Sequence, residues 1–464
     1  MRRKLLILFS GAVVLLCMLP TVSLLLGYEG QNYENRPLAR MPKLMDGKGL
    51  NLSFPDGFDN WFQDHFGLRE EMVTAFNSAA EAALKDSLNE DVIIGKEDML
   101  FFGETLPDYL GTDTLSDHDI ARAARIIRIQ QECVEAKGVT FAFTIAPNKN
   151  TVYPEYMPDR LAPTGLPSNR ERLAQALEKQ GVNYIDLAAV LTAAKDEGLL
   201  YHYHDTHWNE TGALVGYRAI MENIWQDRYQ TYEDVRPVIK TGYAGDLHYF
   251  LFPAEEGNMP YPYYGISYEY QTDPSAPGNT AAIGTTSAAN DRRLLLYRDS
   301  FGDGILPMLS ANHGRVLYSA EFPYNYSLLD SEQPDAVVIE LVERNIRNLL
   351  TRAPALPAME TGLSGQSIGR VEAAIAAFSR NGYTVICGAF AGEYSPDAER
   401  ILLKVGDSVY EAFPILDEQA EYLADDGFIH GFCLTLPEGC AAENFTLIIE
   451  NAEGYRESGE LSVE

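Results

Sequence analysis

The sequence predicts an α/β protein with a mostly parallel sheet flanked by helices, an N-terminal transmembrane helix and a small C-terminal all-β domain. Three observations support this prediction. An uncharged apolar run stands near the N-terminus. Between residues 90 and 355, short Val/Ile/Leu runs alternate with helix-length segments, as in a parallel sheet covered on both faces. From residue 368 onward, short alternating segments are separated by Gly and Asp turns, which is typical of a β-sandwich.

Length and composition limit the class of protein. At 464 residues the chain exceeds one ordinary core, so we expect two domains and an anchor. The formal net charge is −31. Because phosphate binding needs clustered Lys and Arg, this charge argues against nucleic acid as a partner. We interpret it as the solvated acidic surface of an exported protein.

The N-terminal run predicts a membrane anchor. Met-Arg-Arg-Lys precedes the uncharged stretch from Leu5 to Leu26, which as a helix is long enough to cross a hydrocarbon core of about 30 Å. Basic residues before it leave the remaining chain outside the cytoplasm. The run is long for a signal peptide and no Ala-x-Ala site follows. Residues 1–27 are therefore predicted to be an uncleaved anchor, with a cleaved signal peptide as the alternative.

Residues 28–89 are predicted to form a linker and a helical extension. The segment from Phe54 to Arg69 carries five aromatic residues, and their i, i+3, i+4 spacing predicts an amphipathic helix. We expect this helix to pack on the main domain rather than to form a ligand cage.

Residues 90–355 are predicted to form the catalytic domain. Its predicted helices cover residues 116–137, 168–180 and 209–225, and its predicted strands cover residues 139–146, 182–187, 293–297, 315–318 and 336–341. Residues 243–290, rich in Tyr, Gly and Pro, are interpreted as a long loop or insertion with a little strand. Its Tyr261, Tyr263 and Tyr264 are candidate sugar contacts, because aromatic faces suit sugar rings.

Residues 368–464 are predicted to form a β-sandwich-like domain, with strands over residues 383–390, 400–405, 428–436 and 445–450. Carbohydrate binding and structural packing both remain open for it. No CxxC pair supports a zinc ribbon or a redox motif. Cys433 and Cys440 flank a Leu-Pro-Glu-Gly turn and either form a disulfide or remain buried thiols.

Two segments carry the candidate chemistry: His-Asp-Thr-His-Trp at 204–208 and Tyr-Arg-Asp-Ser-Phe-Gly at 297–302. Asp205 and His207 lie on one side of an extended segment. Ser300 directly follows an apolar run, at the carboxyl end of a predicted strand, where ligand sites form in parallel sheets. A serine nucleophile needs a base and an acid that orients the base. We therefore predict Ser300 as nucleophile, His207 as base and Asp205 as orienting acid.

Four further residues are predicted to support this site. Gly302 would let the backbone approach a reacting carbonyl, and the N–H of Ser300 would then serve an oxyanion hole. Asn148, in Ala-Pro-Asn-Lys-Asn, is either a second oxyanion donor or a loop cap. Asp299 is expected to bond the turn or cap the next helix, and Trp208 to pack over the imidazole.

Several motifs resemble exported DHHW-type proteins. These motifs are Tyr33 to Arg36 with Leu38 and Ala39, Phe66 to Arg69, Asp205 to Trp208 with Asn209 to Gly212, and Asp299 to Gly302. The same pattern, over roughly residues 30–350, resembles the alginate O-acetyltransferases, which have an SGNH hydrolase-like domain. Two positions depart from it: Arg298 stands where glycine often precedes Asp-Ser, and Thr206 where the DHHW name has His. The first departure affects the predicted oxyanion hole.

The resemblance implies a function. Asp205, His207 and Ser300 match the triad positions, in the order with serine last that the acetyltransferase branch shows. It implies acetyl transfer to, or removal from, a polysaccharide outside the membrane, and a membrane-bound O-acyltransferase as a possible partner that delivers the acetyl group. No cofactor is implied. We predict a polysaccharide O-acetyltransferase. A carbohydrate O-acetylesterase with the same triad and a non-catalytic polysaccharide-binding envelope protein are the alternatives.

A metal site is a rival interpretation of the histidine-rich segment. His202, His204, Asp205 and His207 form a dense cluster, to which His248 or His313 would add a further ligand. A chelator would separate this site from a serine triad, which needs no metal.

Overall fold

The computed structural model describes residues 2–28, 38–46, 49–226, 229–274, 281–423, 428–436 and 444–463. The motif from Tyr33 to Arg36 and Cys440 lie outside these ranges. The N-terminal elements are α1 (Arg2–Leu25), β1 (Met45–Asp46), β2 (Gly49–Leu50), α2 (Phe54–His65) and α3 (Arg69–Leu84). Within α1, Arg3–Leu24 is long and apolar enough to cross a membrane, with a mean hydropathy of 2.5. A signal sequence would pass the same test of length and composition.

The predicted amphipathic helix forms as α2, but its predicted packing into the main domain is wrong. No residue of α2 is buried. Its rings instead stack on one another, with ring centroids 5.9 Å apart for Phe54 and Phe58 and 6.2 Å apart for Phe58 and Phe62. The i, i+4 spacing that predicts a core-facing stripe thus produces ring contacts within the helix itself.

The central elements run from β3 to β13. In chain order they are β3 (Val92–Ile94), β4 (Leu100–Phe102), α4 (Leu106–Leu110), α5 (Asp117–Glu135), β5 (Thr140–Ala146), α6 (Lys149–Val152), α7 (Asn169–Lys179), β6 (Tyr184–Ile185), α8 (Leu187–Ala193), α9 (Glu210–Ile224), β7 (Val238–Tyr243), α10 (Asp246–Leu251), β8 (Met259–Tyr263), β9 (Gln271–Asp273), β10 (Ala282–Thr286), β11 (Arg293–Tyr297), α11 (Gly302–Ala311), β12 (Arg315–Ser319), α12 (Ser327–Glu332) and β13 (Ala336–Val342). A 3₁₀ helix, Glu343–Leu350, follows β13.

The predicted fold class is confirmed. Seven strands form one sheet in the order β6-β5-β13-β11-β12-β10-β9. The first five pair in parallel, and β10 pairs antiparallel with both β12 and β9. Alternate residues of β11 face opposite sides. Leu295 and Tyr297 join the core beneath α5 and α7, whereas Leu294 and Leu296 join the core beneath α9 and α11. Burial on both faces explains why the central strands have continuous apolar sequences.

The interpretation of residues 243–290 as a loop with a little strand is only partly right. The hairpin of β7 and β8 and the short helix α10 lie in or beside it, and β9 and β10 extend the main sheet at its edge. β10 has the sequence Ala-Ile-Gly-Thr-Thr, which lacks the apolar run of the central strands. Only two of its five residues are buried, so it needs fewer apolar residues, and hydrophobic pattern alone does not reveal it.

The C-terminal strands form the predicted sandwich-like pair of sheets. They are β14 (Ser367–Arg370), β15 (Ala373–Arg380), β16 (Tyr383–Phe390), β17 (Arg400–Val405), β18 (Ser408–Glu411), β19 (His430–Thr435), β20 (Asn444–Asn451), β21 (Gly454–Glu457) and β22 (Leu461–Ser462). One sheet has the order β15-β16-β19 and the other β14-β21-β20-β17-β18, with β22 on β20. Phe432 of the first sheet and Leu447 of the second share one core.

Cys387 on β16 and Cys433 on β19 face each other across the sheet and form a disulfide. A bridge between Cys433 and Cys440 is therefore wrong, and so is the alternative that Cys433 remains a buried thiol. Strand pairing between residues 46 positions apart decides the partner, and cysteine spacing does not reveal such a pairing.

Candidate active site

The carboxyl ends of the central strands meet at one edge of the sheet. Tyr297 on β11 lies opposite Ile339 on β13, which lies opposite Phe143 on β5. Ser300 stands three residues beyond Tyr297, exposed in the turn before α11. It therefore occupies the kind of strand end where open α/β sheets bind ligands.

The structure brings Asp205, His207 and Ser300 into one hydrogen-bonded line. His207 Nδ1 lies 2.7 Å from Oδ1 of Asp205, and His207 Nε2 lies 2.9 Å from Oγ of Ser300. The backbone N–H of His207 also donates to Oδ1 of Asp205, at 2.9 Å. The imidazole is thus held by the acid on one side and reaches the hydroxyl on the other, as nucleophile activation requires.

The capping of α9 fixes the position of this segment. Asn209 directly follows Trp208 and caps α9 by accepting hydrogen bonds from the N–H groups of Thr211 and Gly212. Its amide donates to the carbonyls of Leu199 and Tyr201, at 2.6 and 3.2 Å. The segment that carries Asp205 and His207 is thereby tied to the N-terminus of a buried helix.

Residues from the 243–290 region complete the environment of the acid. The Tyr243 hydroxyl and the Asp246 N–H donate to Oδ2 of Asp205, at 3.0 and 3.2 Å. Burial raises the pKa of Asp205, but the hydrogen bonds and charge of His207 outweigh it and hold that pKa well below its usual range. Asp205 is therefore ionised at neutral pH and able to hold His207 in one orientation.

Asp246 is a second carboxylate beside the imidazole. It accepts hydrogen bonds from the N–H and hydroxyl of Thr206, at 2.8 and 2.6 Å, and its Oδ2 lies 3.8 Å from His207 Nδ1. Burial lowers the pKa of His207, but the hydrogen bond and charge of Asp205, together with Asp246, outweigh burial and raise it. The two carboxylates thus favour the imidazolium that forms when His207 takes a proton.

The aromatic ring against the imidazole belongs to Phe301. The ring centroids of His207 and Phe301 lie 4.9 Å apart, and Trp208 packs behind, edge-on to Phe301 at 5.1 Å. Trp208 is buried, and a Cβ at Gly304 would lie 2.4 Å from its Nε1. The predicted cover of the imidazole by Trp208 is therefore wrong in detail: Phe301 makes that contact, and Trp208 supports Phe301.

Asp299 bonds the turn, as predicted. Its Oδ1 accepts from the N–H of Phe301 at 3.0 Å, and its Oδ2 accepts from the N–H of Val342 at 2.5 Å. The second bond ties the Ser300 turn to the end of β13. Burial and the neighbouring Asp299 carboxyl raise the pKa of Glu340, whose carboxylate accepts from the Asp299 N–H at 3.2 Å.

The space beside Gly302, where a side chain would stand, is filled by Arg298. A Cβ at Gly302 would lie 2.7 Å from the Cβ of Arg298, and the Arg298 guanidinium pairs with Asp303 at 2.9 Å. The glycine is thus needed because Arg298 packs against it, and the arginine itself is part of the turn. The use of Gly302 for backbone approach to a substrate carbonyl stays a prediction.

Asn148 follows β5 at the same sheet edge. Its backbone N–H donates to Oε2 of Glu343 at 2.8 Å, and its side chain forms no cap bond at the start of α6. The side-chain amide is buried, and both its oxygen and its nitrogen lack a hydrogen-bond partner among the described residues. A loop-capping role is therefore wrong, and an unpaired buried amide calls for a functional explanation.

Lys149 is a site residue that the sequence analysis missed. It is buried, and its ammonium donates to the carbonyls of Leu100 and Tyr203, at 2.7 and 3.0 Å. Burial lowers its pKa to about 7, opposed by the charges of Asp205 and Asp246. The sequence signal for it was a lysine directly after the apolar β5 and Pro-Asn, which the sequence analysis did not use.

Arg344 was also missed. Its guanidinium lies over the rings of Phe102 and Phe301, 5.5 and 5.8 Å from their centroids, and its charge acts on His207 and Asp299. Within the described part of the chain no carboxylate forms an ion pair with it. Its place after β13 is the only sequence signal, because the ring contacts join residues distant in the chain.

The histidines of the rival metal site have separate partners. The ring of His202 stacks on Tyr243 at 3.8 Å, and Nε2 of His204 lies 2.9 Å from the carbonyl of Asp98. His248 contacts the Glu255 carbonyl, and His313 contacts Trp225. Beside this segment, Asp205, His207 and Asp246 place ligand atoms within 4.8 Å of one another, and these atoms already take part in the hydrogen bonds described above.

The candidate sugar-binding tyrosines occupy two places. Tyr261 on β8 lies 5.7 Å from Tyr243, and Tyr263 lies beneath the Lys240 ammonium. Tyr264 instead bonds the start of α9 through Thr211, at 3.1 Å. The β7–β8 hairpin therefore places Tyr261 beside Tyr243, which bonds the acid. Tyr263 lies further along the hairpin, opposite Val238, and Tyr264 supports the helix.

Comparison with known proteins bears on the same region. Residues 92–292 match the family described as the SGNH hydrolase-like domain of the acetyltransferase AlgX. The chain therefore resembles the alginate O-acetyltransferases, as its motifs predict. The matched segment contains Asn148, Asp205 and His207 and ends before Ser300.

Individual relatives agree with this family. The chain is 27% identical over 209 residues to the probable alginate O-acetylase AlgJ of Pseudomonas syringae pv. tomato, covering 44% of this chain and 51% of that protein. It is 26% identical over 295 residues to the probable alginate O-acetylase AlgJ of Pseudomonas aeruginosa, covering 62% of this chain and 70% of that protein. It thus spans about half the length of the first of these relatives. A DHHW family protein from Eubacterium siraeum is 15% identical, with a TM-score of 0.43 and coverage of 57% of this chain and 97% of that one.

Proposed function

We propose that this protein is an extracytoplasmic, membrane-anchored polysaccharide O-acetyltransferase that works through an acetyl-Ser300 intermediate. The line from Asp205 through His207 to Ser300, with contacts of 2.7 and 2.9 Å, carries the proposal. Resemblance to proteins named probable alginate O-acetylase supports acetyl as the group and a polysaccharide as the acceptor. Helix α1 supports attachment to the membrane.

In the first half-reaction, the Ser300 oxygen forms a bond to the acetyl carbonyl carbon while its proton passes to His207 Nε2. The tetrahedral intermediate then collapses, the bond to the donor's leaving group breaks, and His207 returns the proton to that group. Asp205 stabilises the imidazolium meanwhile. The N–H of Ser300 and the unpartnered amide of Asn148 are the proposed donors to the oxyanion.

In the second half-reaction, a sugar hydroxyl gives its proton to His207 and attacks the acetyl carbon. The bond to the Ser300 oxygen breaks, and the proton returns to that oxygen, so the enzyme is restored and an acetylated sugar leaves. Water in place of the sugar would make the same site an esterase. Because no step needs a cofactor, none is proposed. A membrane-bound O-acyltransferase is the proposed source of the acetyl group.

The test uses the full-length protein in detergent, with p-nitrophenyl acetate as donor and a soluble polysaccharide as acceptor. We expect Ser300→Ala and His207→Ala to abolish both p-nitrophenol release and acetyl transfer, with no effect of EDTA. Ser331→Ala, which removes the hydroxyl of an exposed serine in α12, is the matched control. Activity that survives Ser300→Ala but disappears with EDTA would favour the histidine-rich metal site. A wild type without turnover that still binds oligosaccharide would favour the non-catalytic alternative.

A further inference from the structure

Exposed apolar side chains are concentrated between α1 and the catalytic domain. Ten large apolar side chains between Met41 and Leu88 are exposed, as many as in all the described residues from Leu166 to Val463. Leu52, Leu50 and Phe76 are among them, with 86%, 63% and 61% of their surface exposed. Exposed apolar patches of this density mark a surface that contacts something other than water.

The helices α2 and α3, here called the aromatic hairpin, carry four of these ten side chains. On α2 the stacked ring ladder includes Phe58, 38% exposed, with Trp61 at 5.6 Å from it. On α3, Met72 and Phe76 lie one turn apart and are exposed. Aromatic rings with exposed apolar neighbours are typical of helices that lie at a membrane–water interface.

The opposite face of α3 holds the hairpin on the body of the protein. The Asn77 amide donates to the Leu251 carbonyl at 2.8 Å, and the Thr74 hydroxyl accepts from the Ala254 N–H at 3.0 Å. Both side chains are buried. The exposed face of α3 is therefore fixed in direction rather than left to rotate, and it points away from the catalytic domain.

The hairpin also touches the end of α1. The N–H of Gly67, in the turn between α2 and α3, donates to the Pro20 carbonyl at 3.2 Å, and a Cβ at Gly67 would collide with Ser23. The Tyr28 hydroxyl donates to Glu71. The contact lies at the last turn of the apolar segment Arg3–Leu24, which is the depth at which a spanning helix leaves the hydrocarbon.

We propose that the aromatic hairpin lies in the outer interfacial layer of the membrane that α1 spans, with its ring ladder and Phe76 against lipid. This proposal rests on the uncleaved anchor of the proposed function and goes beyond it. Continuity with the end of α1 favours lipid as the occupant. Acidic residues of α2, including Asp56 and Asp59, disfavour anionic headgroups, so the surface fits zwitterionic lipid.

The hairpin then sets the distance of the active site from the membrane. α10 ends at Leu251, whose carbonyl binds Asn77 of α3, and begins at Asp246, whose carboxylate binds Thr206 beside His207. Six residues of helix span about 9 Å. The active site therefore lies close to the bilayer surface, where a membrane-embedded donor can deliver an acetyl group.

Trp61 provides the test, because the chain has only three tryptophans and Trp208 is buried near the active site. The full-length protein is placed in nanodiscs of zwitterionic lipid whose acyl chains are brominated near the headgroup. We expect a roughly twofold loss of the Trp61 emission, because an interfacial helix sits about 5–10 Å into the headgroup boundary. The difference from Trp61→Phe isolates that emission from Trp208 and Trp225.

Two variants and two outcomes decide the proposal. Phe76→Ser is expected to weaken the quenching of Trp61. Leu166→Ser, which changes an exposed leucine outside the aromatic hairpin, is expected to leave the quenching unchanged. Unquenched Trp61 in a chain that stays in the nanodisc would overturn the proposal and point to a protein partner or water on this face. Release of the chain from the nanodisc would overturn the anchor and this proposal together. Neither readout depends on turnover, so acetyl transfer is judged separately.

Discussion

The Tyr243 hydroxyl donates to Oδ2 of Asp205 at 3.0 Å, while His207 binds Oδ1 of the same carboxylate at 2.7 Å. The acid is thus held from both sides, by a residue two positions away and by one 38 positions away. The ring of Tyr243 also stacks on His202 at 3.8 Å. The β7–β8 hairpin, which the sequence pattern barely indicates, therefore helps to orient the acid.

Tyr243→Phe tests this contact. The change removes one hydrogen bond to a carboxylate and keeps the stacked ring, so we expect kcat/KM to fall by about 10-fold, equivalent to about 1.5 kcal/mol. Steady-state hydrolysis of p-nitrophenyl acetate measures it. Tyr263→Phe, on the same hairpin but beneath Lys240, is the control and should retain wild-type rates. An equal loss in both variants would contradict a specific role for the Tyr243 hydroxyl.

Asp205→Asn and Asp246→Asn separate the two carboxylates near His207. Asp205 binds Nδ1 directly, so its amide variant should lose about 10³–10⁴-fold in kcat by favouring the wrong imidazole tautomer. Asp246 lies 3.8 Å from Nδ1, so Asp246→Asn should lower kcat much less. The kcat of both variants with the same acetyl donor gives the comparison. If Asp246→Asn proved the more damaging change, Asp246 would be the orienting acid.

The pH dependence follows from the charge state of His207. The base must be neutral to accept the Ser300 proton, and the Asp205 and Asp246 carboxylates raise its pKa above the ordinary histidine value of about 6.5. We therefore expect kcat/KM to rise with pH through a midpoint above about 6.5. Asp246 helps to raise that pKa, so Asp246→Asn should move the midpoint to lower pH. A midpoint that does not move would show that another group controls the fall of kcat/KM at low pH.

Lys149→Met tests the buried lysine whose ammonium donates to the Tyr203 carbonyl. The change leaves the carbonyls of Leu100 and Tyr203 without their donor, so we expect the free energy of unfolding to fall by about 1–3 kcal/mol. Activity should fall as well, because Tyr203 belongs to the segment that carries Asp205. Denaturant unfolding measures the loss. Lys179→Met, at an exposed lysine, should leave both quantities unchanged, and wild-type stability in Lys149→Met would contradict the role assigned to the ammonium.

The disulfide between Cys387 and Cys433 closes a loop with a sequence separation of 46 residues. Loop-closure entropy predicts that Cys387→Ala costs up to about 4 kcal/mol. Thermal unfolding with and without a reductant measures the effect. Cys440→Ala is the matched control and should unfold like the wild type. A loss of stability in Cys440→Ala instead would mean that Cys433 pairs with Cys440.

Hydrophobic pattern was sufficient for the central sheet. Strands β5, β11 and β13 are buried on both faces, so their apolar runs appear directly in the sequence. The position of Ser300 after β11 follows from the same reasoning. The pairing of Ser300 with His207 was predictable only as chemistry, because no local pattern relates residues 93 positions apart.

The sequence alone therefore determined the α/β class, the sandwich strands and the choice of Asp205, His207 and Ser300 as candidate acid, base and hydroxyl, because these depend on local periodicity and on residue chemistry. Tertiary structure decided the exposure of α2, the partner of Cys433 and the contacts of Tyr243, Asp246 and Lys149 with the site. Those features depend on which segments meet after folding. Such contacts arise from the packing of the whole chain and leave no periodic signal in any one segment.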